Sequence, residues 1–358
     1  MSFPSLPDIR NLSLSELEQW FLEQGEKTFR SKQVYEWLWK KSVVTFEEMT
    51  NLSQDIRHLL NQSFSIRRIR IEKTQKSNDR TIKTAFRLYD DALVEGVLIP
   101  TTSRMTACIS SQAGCSLSCK FCATGKLKLK RNLNAFEIYD QIVSIRRQSE
   151  ENYHQPLTNI VYMGMGEPLL NYRNVMDSIE KVTSDKGLGM SPQRITVSTA
   201  GISKMITKLG DDGAKFNLAL SLHAADDEKR SKIMPINDSN NLDVLANALT
   251  YFYDKTGTRP TLEYIIFREF NDSLKDAANL VQFARKIPAK VNIIEYNTVE
   301  GTEFKRAGDA ETLQFKDYLE SKGVIATIRR SRGRDIDAAC GQLANNDKIG
   351  PGETKQKA

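Results

Sequence analysis

The 358-residue chain is 40% hydrophobic and 27% charged, and its 51 Lys and Arg against 45 Asp and Glu give a formal net charge of +6. These proportions suit a folded globular chain with room for one large domain and a small accessory one, and no run nears the ~20 apolar residues needed to cross a bilayer. The start, Met1-Ser2-Phe3-Pro4-Ser5-Leu6-Pro7, lacks the charged and apolar regions of a secretory leader, and with only five cysteines a secreted disulfide scaffold is not expected, so a cytoplasmic protein with no membrane partner is.

Residues 8–62 read as short helices. Ser13-Leu14-Ser15-Glu16 is a capping box opening an amphipathic stretch through Leu17, Trp20, Phe21 and Leu22. A second helix begins near Ser31, with Val34, Tyr35, Leu38 and Trp39 at helical spacing, and a third near Ser53. The aromatic stripe has the period of a buried face, so core packing is expected of it rather than base stacking. Residues 1–64 are thus a helical module of the helix-hairpin-helix kind, a type used against nucleic-acid backbones. Strand patterns at Ile66–Ile71, Thr84–Leu88 and Leu93–Ile99 predict an antiparallel β extension over 65–100.

Strands then alternate with helical segments. Strands are expected at Arg104–Ser110, Asn159–Met163, Arg194–Ser198, Phe216–Leu222, Thr261–Phe267 and Val291–Tyr296, with amphipathic stretches at Ala135–Arg146, Val175–Val182, Leu242–Tyr253 and Leu274–Ile287. Six βα units at near-even spacing make an α/β protein with a parallel sheet, and predict an incomplete (β/α)6 barrel over 101–300. A last strand near Val324–Arg329 leads into a C-terminal segment, 301–345, and residues 346–358 read as a disordered tail.

The loop after the first barrel strand reads Gly114-Cys115-Ser116-Leu117-Ser118-Cys119-Lys120-Phe121-Cys122, a Cys-x3-Cys-x2-Cys spacing. Thiolates in this number suit zinc or an iron–sulfur cluster. Structural zinc takes four protein ligands, and none of His58, His154 and His223 lies within 30 residues of the loop. A 4Fe-4S cube on Cys115, Cys119 and Cys122 would leave one iron free to chelate a small molecule; a zinc loop completed by distant Cys108 or Cys340 is the competing reading. The spacing resembles the radical S-adenosylmethionine (SAM) superfamily, where the open iron holds the amino acid end of SAM. Reactive groups gather at the C-terminal ends of barrel strands. There stand Met163-Gly164-Met165-Gly166-Glu167-Pro168, similar to the superfamily's glycine-rich SAM motif, and Ser198-Thr199-Ala200-Gly201, Ser221-Leu222-His223 and Tyr296-Asn297. Gly166, Glu167, Ser198, Ser221, Leu222, His223 and Asn297 are the SAM contacts expected from this placement.

Three basic runs stand out: Arg67-Arg68-Ile69-Arg70, Lys126 to Arg131, and Arg329-Arg330-Ser331-Arg332-Gly333-Arg334. The last two flank the expected chemistry, which points to a phosphate-rich substrate. Cys108 alternates with Met105, Ala107 and Ile109, so it is expected to face the barrel interior. Cys340 lies among small neighbours, Ala338-Ala339-Cys340-Gly341, and is expected to reach the same mouth.

Cys108-Ile109-Ser110-Ser111-Gln112, Met163 to Pro168, Ser221-Leu222-His223-Ala224, Met234-Pro235-Ile236-Asn237 and Ala338-Ala339-Cys340-Gly341-Gln342-Leu343 occur in that order. Together they resemble the RNA adenine-C2 methyltransferases of the RlmN family, from the helical module to about residue 345. Pro168 and Arg332-Gly333-Arg334-Asp335-Ile336-Asp337 resemble these C2 enzymes more than their adenine-C8 sister family, which stays open as an alternative on the same scaffold. A radical SAM enzyme of other substrate and a non-catalytic, metal-stabilised RNA-binding protein are the further alternatives. The resemblance implies one 4Fe-4S cluster, two SAM per turnover, and methylation of adenines in 23S ribosomal RNA and in the tRNA anticodon loop. It implies an electron donor such as flavodoxin or ferredoxin, and a monomer. It also implies that Cys340 carries the methyl, that Glu95 accepts the C2 proton, and that Cys108 resolves the adduct, leaving a Cys108–Cys340 disulfide. By its position alone, Glu95 reads as a surface carboxylate on an edge strand.

Overall fold

The computed structural model describes residues 6–344. The last residue of the 301–345 segment and the tail at 346–358 lie outside the described residues.

The N-terminal helices are α1 (Leu14–Glu23), α2 (Phe29–Trp39) and α3 (Gln54–Ser63). Ser13 caps α1 reciprocally: its hydroxyl accepts from the Glu16 N–H at 3.2 Å, and the Glu16 carboxylate accepts from the Ser13 N–H at 2.7 Å. Phe21, Tyr35 and Trp39 are buried. Trp39 meets Tyr139 of α4 (Ala135–Tyr153) edge-on at 5.1 Å, so the aromatic stripe is core. Arg10 fixes the same junction, bonding Asp8 at 3.0 Å and Asp140 of α4 at 2.8 Å.

The extension consists of β1 (Arg70–Lys76), β2 (Ile82–Arg87) and β3 (Leu93–Pro100), running antiparallel into β4 (Met105–Cys108). β1 starts at Arg70 instead of Ile66. The Ser65 and Arg67 N–H groups go to Pro7 O at 2.9 Å and Asp8 Oδ2 at 2.7 Å, so the chain before β1 is tied to the N-terminus and pairs with no strand there. Two short strands, β5 (Gln112–Ala113) and β6 (Arg131–Asn132), pair with each other outside the main sheet.

From β4 onward the sheet is parallel, through β7 (Asn159–Tyr162), β8 (Ile195–Thr199), β9 (Asn217–Ser221), β10 (Thr261–Ile266), β11 (Lys290–Glu295) and β12 (Ala326–Arg329). The strand order is β1-β2-β3-β4-β7-β8-β9-β10-β11-β12, and β12 forms no ladder back to β4 among the described residues. The result is an incomplete α/β barrel with a helical module and an antiparallel extension. Between the strands come α5 (Tyr172–Thr183), α6 (Ser203–Asp211), α7 (Asp227–Ile233), α8 (Leu242–Thr256), α9 (Leu274–Arg285) and α10 (Asp309–Ser321). β10 is buried at every position, as a central parallel strand covered on both faces must be. Among the described residues no helix is long and apolar enough to cross a membrane.

Candidate functional site

The cysteine loop is closed at its base by the β5–β6 pair. Gly114 sits there at φ +84°, and a Cβ added to it would lie 2.2 Å from Lys128 O, so only glycine lets the two limbs meet. The loop is held on three sides: Lys120 N–H donates to Ile233 O (3.0 Å), Ala123 N–H to Gly341 O (2.7 Å) and the Thr124 hydroxyl to Leu343 O (2.6 Å). Cys115, Cys119 and Cys122 are free and half-buried. Burial pushes the Cys115 thiol up to about 11 and raises those of Cys119 and Cys122; the thiols also act on one another, and Glu167 on the first two. They therefore share one space of low dielectric. No three His, Cys, Asp or Glu side chains among the described residues converge closely enough to hold a single metal ion. Three thiols around a shared space fit a cluster, whose irons stand apart, and metal coordination would displace the thiol protons that burial retains.

At the end of β7, Gly166 turns with φ +96° against Gln112, whose side-chain oxygen accepts from Glu167 N–H at 2.8 Å. Glu167 is buried, and its oxygens accept from Leu169 N–H (3.0 Å) and Ala200 N–H (2.7 Å). Burial raises its carboxyl to about 7, against these bonds. The carboxylate, which also takes a side-chain hydrogen bond from Thr199, thus staples the β7 turn to the end of β8. Ser198 and Ser221 face each other across β8 and β9, hydroxyls 3.4 Å apart. His223, at φ +56°, accepts from Ile265 N–H at Nδ1 (3.1 Å), a bond that assigns its proton to Nε2, and lies edge-on to Phe121 of the cysteine loop at 4.8 Å. Burial depresses it to about 3, so the ring is neutral. Leu222 donates its N–H to Glu263 O at 2.9 Å with its side chain in the core. Asn297 is buried, donating to Cys340 O (3.3 Å) and accepting from Arg334 (3.2 Å).

Cys108 and Glu95 face the same side of β3 and β4, opposite to the face where Gly96 meets Ile145 of α4. Burial first, then neighbouring Cys340, raises the Cys108 thiol to about 12, while Arg329 pulls it down. Both thiols are free, so the expected disulfide is not present in this structure. Cys340 is half-buried on a segment crossing from β12 to the β1–β2 turn. Asp335 accepts there from Ser77 Oγ (2.6 Å) and Asn78 N–H (3.0 Å), and Gly333 N–H donates to Asp79 at 2.8 Å. Glu95 is not a surface carboxylate. β3 lies between β2 and β4, and Glu95, 2% exposed, pairs with buried Lys83 at 3.4 Å and accepts from Ala344 N–H at 2.9 Å.

The basic runs are less free than their spelling suggests. Arg131 is clasped by Asp90 (2.7 Å) and Glu137 (2.7 Å), and Lys126 bonds Glu300 O, leaving Lys128 and Lys130 exposed. Arg330 and Arg334 converge with Arg306 (2.8 Å) on the buried Glu295. Sequence reasoning missed Lys83, Arg230, Glu263 and Glu295. Only the charge of residues otherwise set among apolar strand positions could have flagged Glu263 and Glu295.

Residues 7–66 match the family model of the ribosomal RNA large subunit methyltransferase N-terminal domain, and residues 109–281 that of the radical SAM superfamily. The chain is 60% identical over 336 residues to a Cytophaga hutchinsonii protein named "Probable dual-specificity RNA methyltransferase RlmN", covering 94% of this chain and 92% of that one. A Christiangramia forsetii protein of the same name is 54% identical, covering 94% and 96%. The crystal structure of a radical SAM methyltransferase from Sphaerobacter thermophilus superposes with a TM-score of 0.89 at 36% identity, covering 94% of this chain and 99% of that one.

Proposed function

This chain belongs to the RlmN family of radical SAM RNA methyltransferases, and from that premise we propose that it methylates C2 of adenine in 23S ribosomal RNA and in the tRNA anticodon loop, with Cys340 as methyl carrier. The carrying observation is the anchoring of the Cys340 segment: Gly341 and Leu343 are bonded to the cysteine loop, and Ala344 to Glu95.

Adenine C2 lies between two ring nitrogens and is electron-poor, so it does not act as a nucleophile toward the SAM methyl. A 4Fe-4S cluster on Cys115, Cys119 and Cys122, with SAM at its open iron, would supply the radical chemistry that such a carbon requires. The residues of the chain do the rest. Glu167, Ser198, Ser221, His223 and Asn297 line the strand ends where SAM would lie, and Gly166 lets the backbone turn there. The Cys340 sulfur takes a methyl from one SAM and delivers its carbon to C2, which leaves RNA linked to the protein. Glu95 accepts the C2 proton. The Cys108 thiolate then attacks the Cys340 sulfur and forms a disulfide with it, and the carbon–sulfur bond breaks with its electron pair passing to the departing carbon. That carbon takes up a proton to become the methyl group, and methylated RNA leaves. On this reading the Cys108–Cys340 disulfide forms during turnover and must be reduced before the next cycle. A low-potential donor such as flavodoxin or ferredoxin, acting on a cytoplasmic monomer, completes the reading.

Mass spectrometry of adenosines from ribosomal and transfer RNA of a deletion strain tests this. C2-methyladenosine should vanish from both and return with the wild-type gene but not with Cys340→Ala. Its persistence in the deletion strain, or methylation at C8, would overturn the assignment.

A further inference from the structure

Arg230, on α7, is 0% exposed and spends its whole guanidinium on neutral acceptors. Nε donates to Leu222 O (3.1 Å), Nη1 to Asn237 Oδ1 (2.7 Å) and Asn240 O (3.5 Å), and Nη2 to Ala200 O (2.6 Å) and Ser221 O (3.3 Å). All five N–H donors are used, so the group has no hydrogen left for a ligand. Its charge, however, meets no carboxylate directly. No ion pair to Arg230 forms among the described residues. Asp227 acts on it from nearby but makes no bond to the guanidinium, its carboxylate accepting instead from Leu242 N–H (3.0 Å) and Asn237 Nδ2 (2.9 Å). A buried cation left this way costs several kcal/mol, and burial lowers its pKa to about 10.

Where the charge sits gives it a use. The same helix holds the cysteine loop through Ile233 O and Lys120 N–H at 3.0 Å, and Phe121 packs with Ile233, Met234 and Ala200. Arg230 and Cys119 lie within electrostatic reach of each other. The acceptors it gathers, Ala200 O after β8 and Ser221 O and Leu222 O at the end of β9, belong to the strand ends where SAM would lie.

We propose that Arg230 is a positioning residue whose buried charge, without a direct ion pair, favours reduction of the cluster while three of its five bonds hold the SAM-facing ends of β8 and β9 together. This rests on the reading of Cys115, Cys119 and Cys122 as cluster ligands. The redox step is one electron passing from a low-potential donor protein, which is oxidised, to the cluster, which is reduced. No bond is made or broken, and a negative charge is added to a centre already ringed by thiolates. A fixed cation in low dielectric stabilises that added charge, and it can do so without touching the cluster.

The test is a dithionite titration of anaerobically loaded holoprotein followed by electron paramagnetic resonance, with Arg230→Lys, Arg230→Met and Arg230→Gln beside the wild type. The neutral variants should lower the equilibrium constant for reduction at least tenfold, a negative shift of ~59 mV for one electron, while Arg230→Lys stays near wild type. Loss of iron from both neutral variants with retention in Arg230→Lys also supports a role for the charge. Full iron and a wild-type potential in Arg230→Met would overturn the proposal. So would Arg230→Lys falling as far as the neutral variants, because the hydrogen-bond fan alone would then matter. Wild-type protein that takes up no iron would instead sink the cluster reading beneath it.

Discussion

At the scale of the residue, Glu95 has a cation against one oxygen, Lys83 at 3.4 Å, and a backbone donor on the other, Ala344 N–H at 2.9 Å. Glu95→Gln keeps an acceptor for Ala344 but strips Lys83 of its partner, and breaking a buried pair costs about 3–5 kcal/mol. Lys83 has a second contact at Asp337 O, 3.5 Å away, so the lower end of that range is expected in denaturant unfolding. Gln also cannot accept the C2 proton, so the variant should retain iron yet accumulate protein linked to RNA. Lower stability with normal methylation would make Glu95 an ion-pair partner only. Little of this was legible beforehand. The three-cysteine spacing declared itself because its ligands lie within eight residues of one another. Glu95 and Lys83 become a pair only when β2 and β3 align and the C-terminal segment covers them. Arg230 likewise carries no signal in the sequence until its five acceptors, gathered from three separate stretches of chain, are placed around it.

At the scale of the element, the segment after β12 does most to assemble the site. It is short of regular structure, with one turn of 3-10 helix at Arg334–Ile336 flanked by left-handed Gly333 and Asp337. Its position is set by scattered bonds: Asp335 and Gly333 N–H on the β1–β2 turn, Asn297 on Cys340 O, Ala123 N–H on Gly341 O, Thr124 on Leu343 O and Glu95 on Ala344 N–H. Asp335→Ala removes two bonds to that turn and leaves the cysteine loop untouched. We expect faster amide exchange over 338–344 and slower methylation, with iron content unchanged. Unaltered exchange would mean that the remaining bonds suffice to hold the segment. The parallel strands and helices α4, α5, α8 and α9 were readable from periodicity because each buries a repeating face, whereas α6, α7 and α10 were not anticipated. β1 was placed four residues early because Ile66–Ile69 has strand-like composition, yet its backbone is tied to Pro7 and Asp8, far away in sequence.

At the scale of the whole molecule, the sheet among the described residues ends at β1 and β12, and the C-terminal segment runs from β12 to the β1–β2 turn and the cysteine loop, which puts Cys340 within electrostatic reach of Cys108. The positive surplus, legible from composition, is partly internal. Arg131 and the Glu295-bound arginines organise the rim of the site, and Lys128 and Lys130 remain exposed beside it. On the proposed route the methyl passes through Cys340 and is released by Cys108. The most direct measurement is mass spectrometry of the Cys108→Ala protein recovered from cells, before and after nuclease. Carrier and cluster loop are intact in this variant and only resolution is lost, so the Cys340 peptide should carry a nuclease-sensitive RNA adduct and methylated RNA should fall to background. Normal methylation with an unmodified Cys340 peptide would contradict it.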